Sequence, residues 1–256
     1  MSYSDASTAF GTEARVQRDF LRQVFAWMFL ALALTTAVAI VFHTGSTAVW
    51  IYTHPTIFYI ALFGQLGFVI ALRFMLVSQR VSTQVAAFAF FLYAALTGAV
   101  FSVLLDAYTT DSVIGAFAGA CGVFAGMAVL GYTTKADLSR FGPVLFGALI
   151  GIVAASFVYV FVGGHALNLI IGYLGVIIFS ALTAYDMQML KTLRSGGSIS
   201  TRFGGFGRRG GRGGQTVSFA EGGASAEKLA IFGALWLYLD FINLFISLLR
   251  IFGNQR

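Results

Sequence analysis

The chain alternates long apolar runs with short polar breaks, and the runs have the length a bilayer demands. A helix needs roughly 20 apolar residues to cross the hydrocarbon core. Seven runs meet that length: Gln23 to Phe42, Thr56 to Leu76, Val81 to Leu105, Ser112 to Tyr132, Gly142 to Val162, Leu167 to Leu190 and Leu229 to Phe252. In lipid each backbone polar group must be bonded within its own segment, so the runs predict helices. The short alternating strands of a membrane barrel are absent. The expected fold class is all-α, a polytopic membrane protein of seven transmembrane helices. It divides into a polar N-terminal tail (1–22), a transmembrane domain (23–252) and a short tail (253–256).

Composition agrees. Hydrophobic residues make up 58% of the 256 positions and charged residues 10%, where a soluble domain carries roughly 25% charged. The net charge of +6 raises nucleic acid as a partner, but most basic residues sit between the apolar runs, where they read as topology signals. Arg15, Arg18, Arg22, Arg73, Arg80, Lys135, Arg140, Lys191, Arg194 and Lys228 fall at one set of run ends. The alternate breaks hold His43, His54, Asp106, Asp111 and His165, without Lys or Arg. The positive-inside rule then places the N-terminus in the cytoplasm. Arg250 and Arg256 oppose an outer C-terminus, which makes the seventh span the least secure. The first run has no A-x-A cleavage site and reads as a retained helix. The single Cys121 excludes an intramolecular disulfide. Ser195 to Gly223 is Gly- and Arg-rich and is expected to be a flexible cytoplasmic loop. Its RGG-type pattern can bind RNA, but a basic linker near anionic headgroups is the preferred reading, and no nucleic acid is expected.

Ionisable groups inside spans are costly and are functional candidates by default. Asp186 precedes Lys191 by five residues, about 7 Å below the cytoplasmic end of the sixth run at 1.5 Å per residue. Asp240 follows Lys228 by twelve residues, about 18 Å along the seventh. Simple depths therefore separate the two by about 10 Å. If they share a low-dielectric site, one carboxyl holds a proton toward neutral pH. Deprotonated, the pair can ligate a hard cation such as Ca²⁺. Arg73 matches the depth of Asp186 and is a latch candidate, with snorkelling to the headgroups as the plainer alternative. Arg250 and Gln65 form a second latch candidate, and Asn243 lies near Asp240. Such amides are more often interhelical hydrogen-bond partners than ligands. The three histidines show no recognised ligand spacing. The small residues of GAFAGACGVFAG fit close helix packing, not a phosphate loop.

Four stretches carry a resemblance: RVQRDFLRQVFAWMFLALALT, GYTTKADLSRFGPVLFGALIGIVAASFVYVF, IIFSALTAYDMQMLK and LYLDFINLFISLLRIFG. Together the chain resembles the Bax inhibitor-1 (TMBIM) family, close to its bacterial branch. The resemblance implies two three-helix layers around a central C-terminal helix and a pH-sensitive Ca²⁺ leak. It assigns the family's paired aspartates to Asp186 and Asp240, its second-helix arginine latch to Arg73, and its late arginine to Arg250. In some members that late arginine meets an acid on the second helix; here the second run offers only Gln65. The resemblance also implies a bacterial cytoplasmic membrane, stress-response regulation and a membrane-bound AAA protease as a partner.

Two rivals fail on residues. An intramembrane aspartyl protease needs Gly-x-Gly-Asp, but Asp240 follows Leu237-Tyr238-Leu239. A retinal protein needs a buried lysine in the last helix, and Leu229 to Phe252 has none. No catalytic role and no organic cofactor are required. The expected mechanism is protonation of the aspartate pair at low pH, loosening of Arg73, and a shift of the seventh helix that opens a Ca²⁺ path. The alternative is a regulatory protein that restrains a protease without transport.

Overall fold

The computed structural model describes residues 3–44, 55–77, 81–194, 199–200, 216–217 and 226–254. Among these are seven α-helices: α1 (Tyr3–Thr44), α2 (Pro55–Val77), α3 (Thr83–Ala107), α4 (Thr110–Thr133), α5 (Gly142–Val162), α6 (His165–Arg194) and α7 (Ala226–Phe252). A 3₁₀ turn spans Leu138–Phe141, and Ile199–Ser200 pairs antiparallel with Thr216–Val217. Among the described residues, six helices are long and apolar enough to cross a membrane, and α2 contributes the apolar stretch Phe63–Leu72. The protein is an integral membrane protein built from helices.

Local chemistry sets the boundaries. Ser82 and Thr109 cap α3 and α4, each accepting from the amide three residues on, which satisfies one orphan N–H of the first turn. Pro143 opens α5, where its missing N–H costs nothing. The α5–α6 turn is Gly163-Gly164 with φ of +67° and +101°, a region open to glycine. The polar tail joins α1 without a break, because Tyr3 to Arg22 contains no proline to stop it. His43, expected in an outer loop, lies in the last turn of α1.

Helix α3 packs against both α1 and α2, helix α6 packs against both α4 and α5, and α7 lies against members of both sets. Of the apolar window of α7, 72% is enclosed by protein, against 6% for the window that includes α5. That contrast identifies α7 as the interior helix and α5 as largely lipid-facing. Between apolar helices in lipid, packing rests on close backbone approach. Gly98 on α3 abuts the Thr35 carbonyl on α1, and Gly131 on α4 abuts the Ala184 backbone on α6.

Both ends of α7 are fastened. Lys228 Nζ donates to the Val81 carbonyl, 2.8 Å away in the α2–α3 connection. Just past its other end, the Asn254 amide donates to Ser112 Oγ (2.9 Å) and the Asn254 carbonyl accepts from the Thr109 amide (3.1 Å).

Candidate functional site

The level of each helix against its neighbour follows from close contacts. On α6, Gly172 abuts Ile251 and Arg250, Gly175 abuts Ser247, and Leu190 abuts Gly233. These contacts fix one antiparallel register. Continuing it, Asp186 lies level with Leu237, about three residues or ~4.5 Å from Asp240 along the axis. This corrects the ~10 Å separation that distance from the run ends suggests. The error came from placing Lys191 and Lys228 at one membrane plane, whereas the register sets Lys191 level with Phe232, about one turn from Lys228.

Direction agrees with level. Gly233, Leu237, Asp240, Ser247 and Ile251 recur at the three-and-four spacing of one helix face. Gly172, Gly175, Asp186 and Leu190 do the same on α6. The two carboxylates therefore stand on the facing stripes of one seam. Asp240 is 4% exposed, and Asp186 is half-buried. Among the described residues no group of three His, Cys, Asp or Glu gathers as a metal cluster would. Any Ca²⁺ ligation there would draw on this pair together with backbone or water oxygens.

The other sequence candidates fall as follows. The backbone of Arg73 belongs to α2, but its side chain lies outside the described residues. Gln65 Nε2 on α2 donates to Thr97 Oγ1 on α3 at 2.8 Å, and Phe90 and Tyr93 on α3 flank the ring of Tyr238. These contacts carry the level of Arg73 to within about one turn of Asp186. Gln65 and Arg250 have different partners: Gln65 holds Thr97, while the Arg250 guanidinium sits over the Tyr159 ring at 5.6 Å. Arg250 Nη1 is buried without a hydrogen-bond partner among the described residues. Asn243 Nδ2 donates to the Leu239 carbonyl in its own helix. His43 Nδ1 lies 2.6 Å from Asp106 Oδ1, joining α1 to α3. His54 and the Arg/Gly segment, apart from the single pair of two-residue strands, lie outside the described residues.

Beside Asp186, α6 carries a second set of contacts. Gln188 accepts from the Leu138 amide (2.8 Å) and donates to the Ala136 carbonyl (2.7 Å). Lys191 Nζ donates to the Tyr132 carbonyl (2.8 Å) and lies 5.1 Å from the Tyr132 ring centre. Tyr185 Oη abuts Gly142. The α4–α5 connection is thereby strapped to the helix that bears Asp186. Gln17 Nε2 adds a bond from α1 to the Lys191 carbonyl at 3.1 Å.

Sequence reasoning passed over two residues of α7. Tyr238 is fully buried and its hydroxyl lies 2.8 Å from Thr35 Oγ1. Trp236, four residues before Asp240, has a buried indole N–H without a hydrogen-bond partner among the described residues. The signal was the run LWLYLD itself: aromatic residues with polar handles, placed mid-span, need partners inside the bundle.

Relatives share most of this chain. Residues 17–256 match the family described as inhibitor of apoptosis-promoting Bax1. The chain is 41% identical over 241 residues to the inner membrane protein YbhL of Escherichia coli K12, covering 93% of each chain. It is 40% identical over 239 residues to an uncharacterized protein of Deinococcus radiodurans, covering 93% of this chain and 91% of that one. It is 34% identical over 249 residues to an uncharacterized protein of Borreliella burgdorferi, covering 95% of each. With its helical membrane architecture and a match across nearly its whole length, the chain belongs to the Bax inhibitor-1 family.

Proposed function

We propose that this protein is a proton-gated Ca²⁺ leak whose sensor is the pair Asp186 and Asp240. The observation that carries the reading is the α6–α7 register, which sets two carboxylates about one turn apart on facing stripes in the bundle interior. Near neutral pH at least one carboxylate is ionised and attracts a cation, Arg73 being the candidate latch. At mild acidity the pair holds a shared proton, the latch loosens, and the seam around α7 opens to Ca²⁺. Protons and Ca²⁺ compete for the same oxygens. In this reading α2 is the seventh span, and two three-helix layers, α1–α3 and α4–α6, enclose α7. The name of the Escherichia coli relative supports an inner-membrane location, and the basic ends of the helices support a cytoplasmic N-terminus.

The test is Ca²⁺ influx into dye-loaded liposomes at pH 6, 7 and 8 for the native protein, Asp186→Asn and Asp240→Asn. Influx that rises with acidity in the native protein and loses its pH dependence in both variants is the expected result. Influx no greater than in empty liposomes at every pH, from folded protein, would sink the leak. A regulatory role then becomes the better reading. It is favoured by the exposed Arg15, Arg18, Asp19 and Arg22 on the N-terminal part of α1, a helical surface for a partner such as a membrane-bound AAA protease. Loss of partner capture on deleting residues 3–15 would test it.

A further inference from the structure

Tyr238 and Asp240 are two residues apart, so their side chains leave α7 about 200° apart. Asp240 belongs to the stripe facing α6. Tyr238 faces the opposite set: its ring meets Phe90 edge-on at 5.7 Å and Tyr93 at 6.1 Å, both on α3, and its hydroxyl meets Thr35 on α1.

The proton count fixes the direction of that last bond. Thr35 Oγ1 has one proton, and it faces the carbonyls of Ala94 (2.9 Å) and Ala31 (3.0 Å). In the 2.8 Å contact Tyr238 is therefore the donor. Thr97 stands close by, donating to the Tyr93 carbonyl (2.9 Å) and accepting from Gln65 (2.8 Å). The result is a buried hydroxyl and amide cluster that draws on α1, α2, α3 and α7 together.

We propose that Tyr238 is a positioning residue for the aspartate site: its hydroxyl bond to Thr35 sets the rotation of α7 and so presents Asp240 to Asp186. A helix held at one point can turn about its axis. A helix held on two opposite faces at the same level cannot. Here the levels coincide within about 3 Å. The terminal bonds at Lys228 and Asn254 limit sliding, and both lie more than two turns from Asp240. At the sensor Phe241 packs on Phe117 and Phe124 of α4, and the Tyr238 hydroxyl adds the directional bond that fixes rotation. The ionisable groups on neighbouring helices at this level are Asp186 and Tyr185 on α6, Tyr93 on α3 and Arg73 on α2. At this level α1 presents apolar residues and hydroxyls, and α4 presents apolar residues with Cys121, whose side chain is exposed.

The inference rests on the proposed leak for its flux readout alone, and its test separates the two. Tyr238→Phe keeps the ring and removes the donor; Thr35→Val removes the acceptor; Thr35→Ser keeps it. In the liposome assay the ratio of influx at pH 6 to that at pH 8 is expected to fall about fivefold in Tyr238→Phe and Thr35→Val. That is the shift one buried hydrogen bond makes in a two-state equilibrium. Thr35→Ser should keep the native ratio, and the double variant should match either single one. A native ratio in folded Tyr238→Phe overturns the proposal. If the native protein passes no Ca²⁺, the leak reading fails and amide hydrogen exchange across Leu235 to Ile242 decides. Exchange about fivefold faster in Tyr238→Phe supports the anchor, and unchanged exchange overturns it.

Discussion

Gly175 on α6 abuts Ser247 on α7, and this contact helps set the level of Asp186 against α7. A methyl group at position 175 would overlap the Ser247 side chain, whose Oγ is itself tied to the Asn243 carbonyl at 2.7 Å. Ser247 cannot swing aside without breaking that bond. Gly175→Ala should therefore cost about 1–3 kcal/mol, the usual range for overpacking. Thermal unfolding in detergent checks this. Adding Ser247→Ala should recover part of the loss, because it removes both the obstacle and the tie. A Gly175→Ala protein as stable as the native one would show that the seam is looser than the contact implies.

Gln188 is the strap between the Asp186 helix and the α4–α5 connection. Gln188→Leu keeps the volume and removes both bonds, to the Leu138 amide and the Ala136 carbonyl. The site is partly open to water, so the loss is about 1–2 kcal/mol. The clearer signal is local. Lys135 and Arg140 flank the strapped segment and are exposed, so trypsin should cut there several-fold faster in the variant. Equal cleavage rates would mean that the 3₁₀ turn and its caps hold the segment alone.

Much of this architecture was readable in advance. Apolar run length located every described helix to within about five residues of one transmembrane boundary or the other, because hydrocarbon thickness imposes that length whatever the tertiary packing. Asp186 and Asp240 stood out because an acid in an apolar run is costly. Their relative level was not readable. It depends on where Gly172, Gly175 and Gly233 let α6 and α7 touch, and small residues occur throughout the spans without marking which pairs will meet. Tyr238 was missed for a related reason: its partner, Thr35, lies 203 positions away, and nothing local to either residue announces the bond.

Asp137 precedes the 3₁₀ turn and lies outside the spans. Its carboxylate accepts from the Ser139 hydroxyl (2.6 Å) and the Ser139 amide (3.0 Å). Those bonds, with a weaker contribution from Arg140, hold its pKa below the usual carboxylate value. A folded pKa below the unfolded one gives a contribution to stability that is present above the unfolded value and lost as pH falls through the folded one. The turn should therefore stay capped at neutral pH and loosen only in strong acid, well below the window of the proposed sensor. A carbon-detected titration of Asp137 checks this. Ser139→Ala should raise its midpoint toward the ordinary value, leaving the pH dependence of any flux unchanged.

Arg250 tests how the far end of α7 is held. Its guanidinium lies over Tyr159 on α5 with Nη1 buried and lacking a hydrogen-bond partner, so the ring supplies attraction that a carboxylate would otherwise give. A desolvated cation–π contact is worth about 1–2 kcal/mol. Tyr159→Leu keeps an apolar side chain and removes the quadrupole, and should cost about that much. Arg250→Lys should not be neutral, because the compact ammonium loses the planar stacking and is harder to desolvate. The two changes share one interaction, so a double-mutant cycle on thermal stability should give a coupling of about 1 kcal/mol or more. Strict additivity would mean that Arg250 is held by its aliphatic stem against Gly172, and that Tyr159 only fills space beside it.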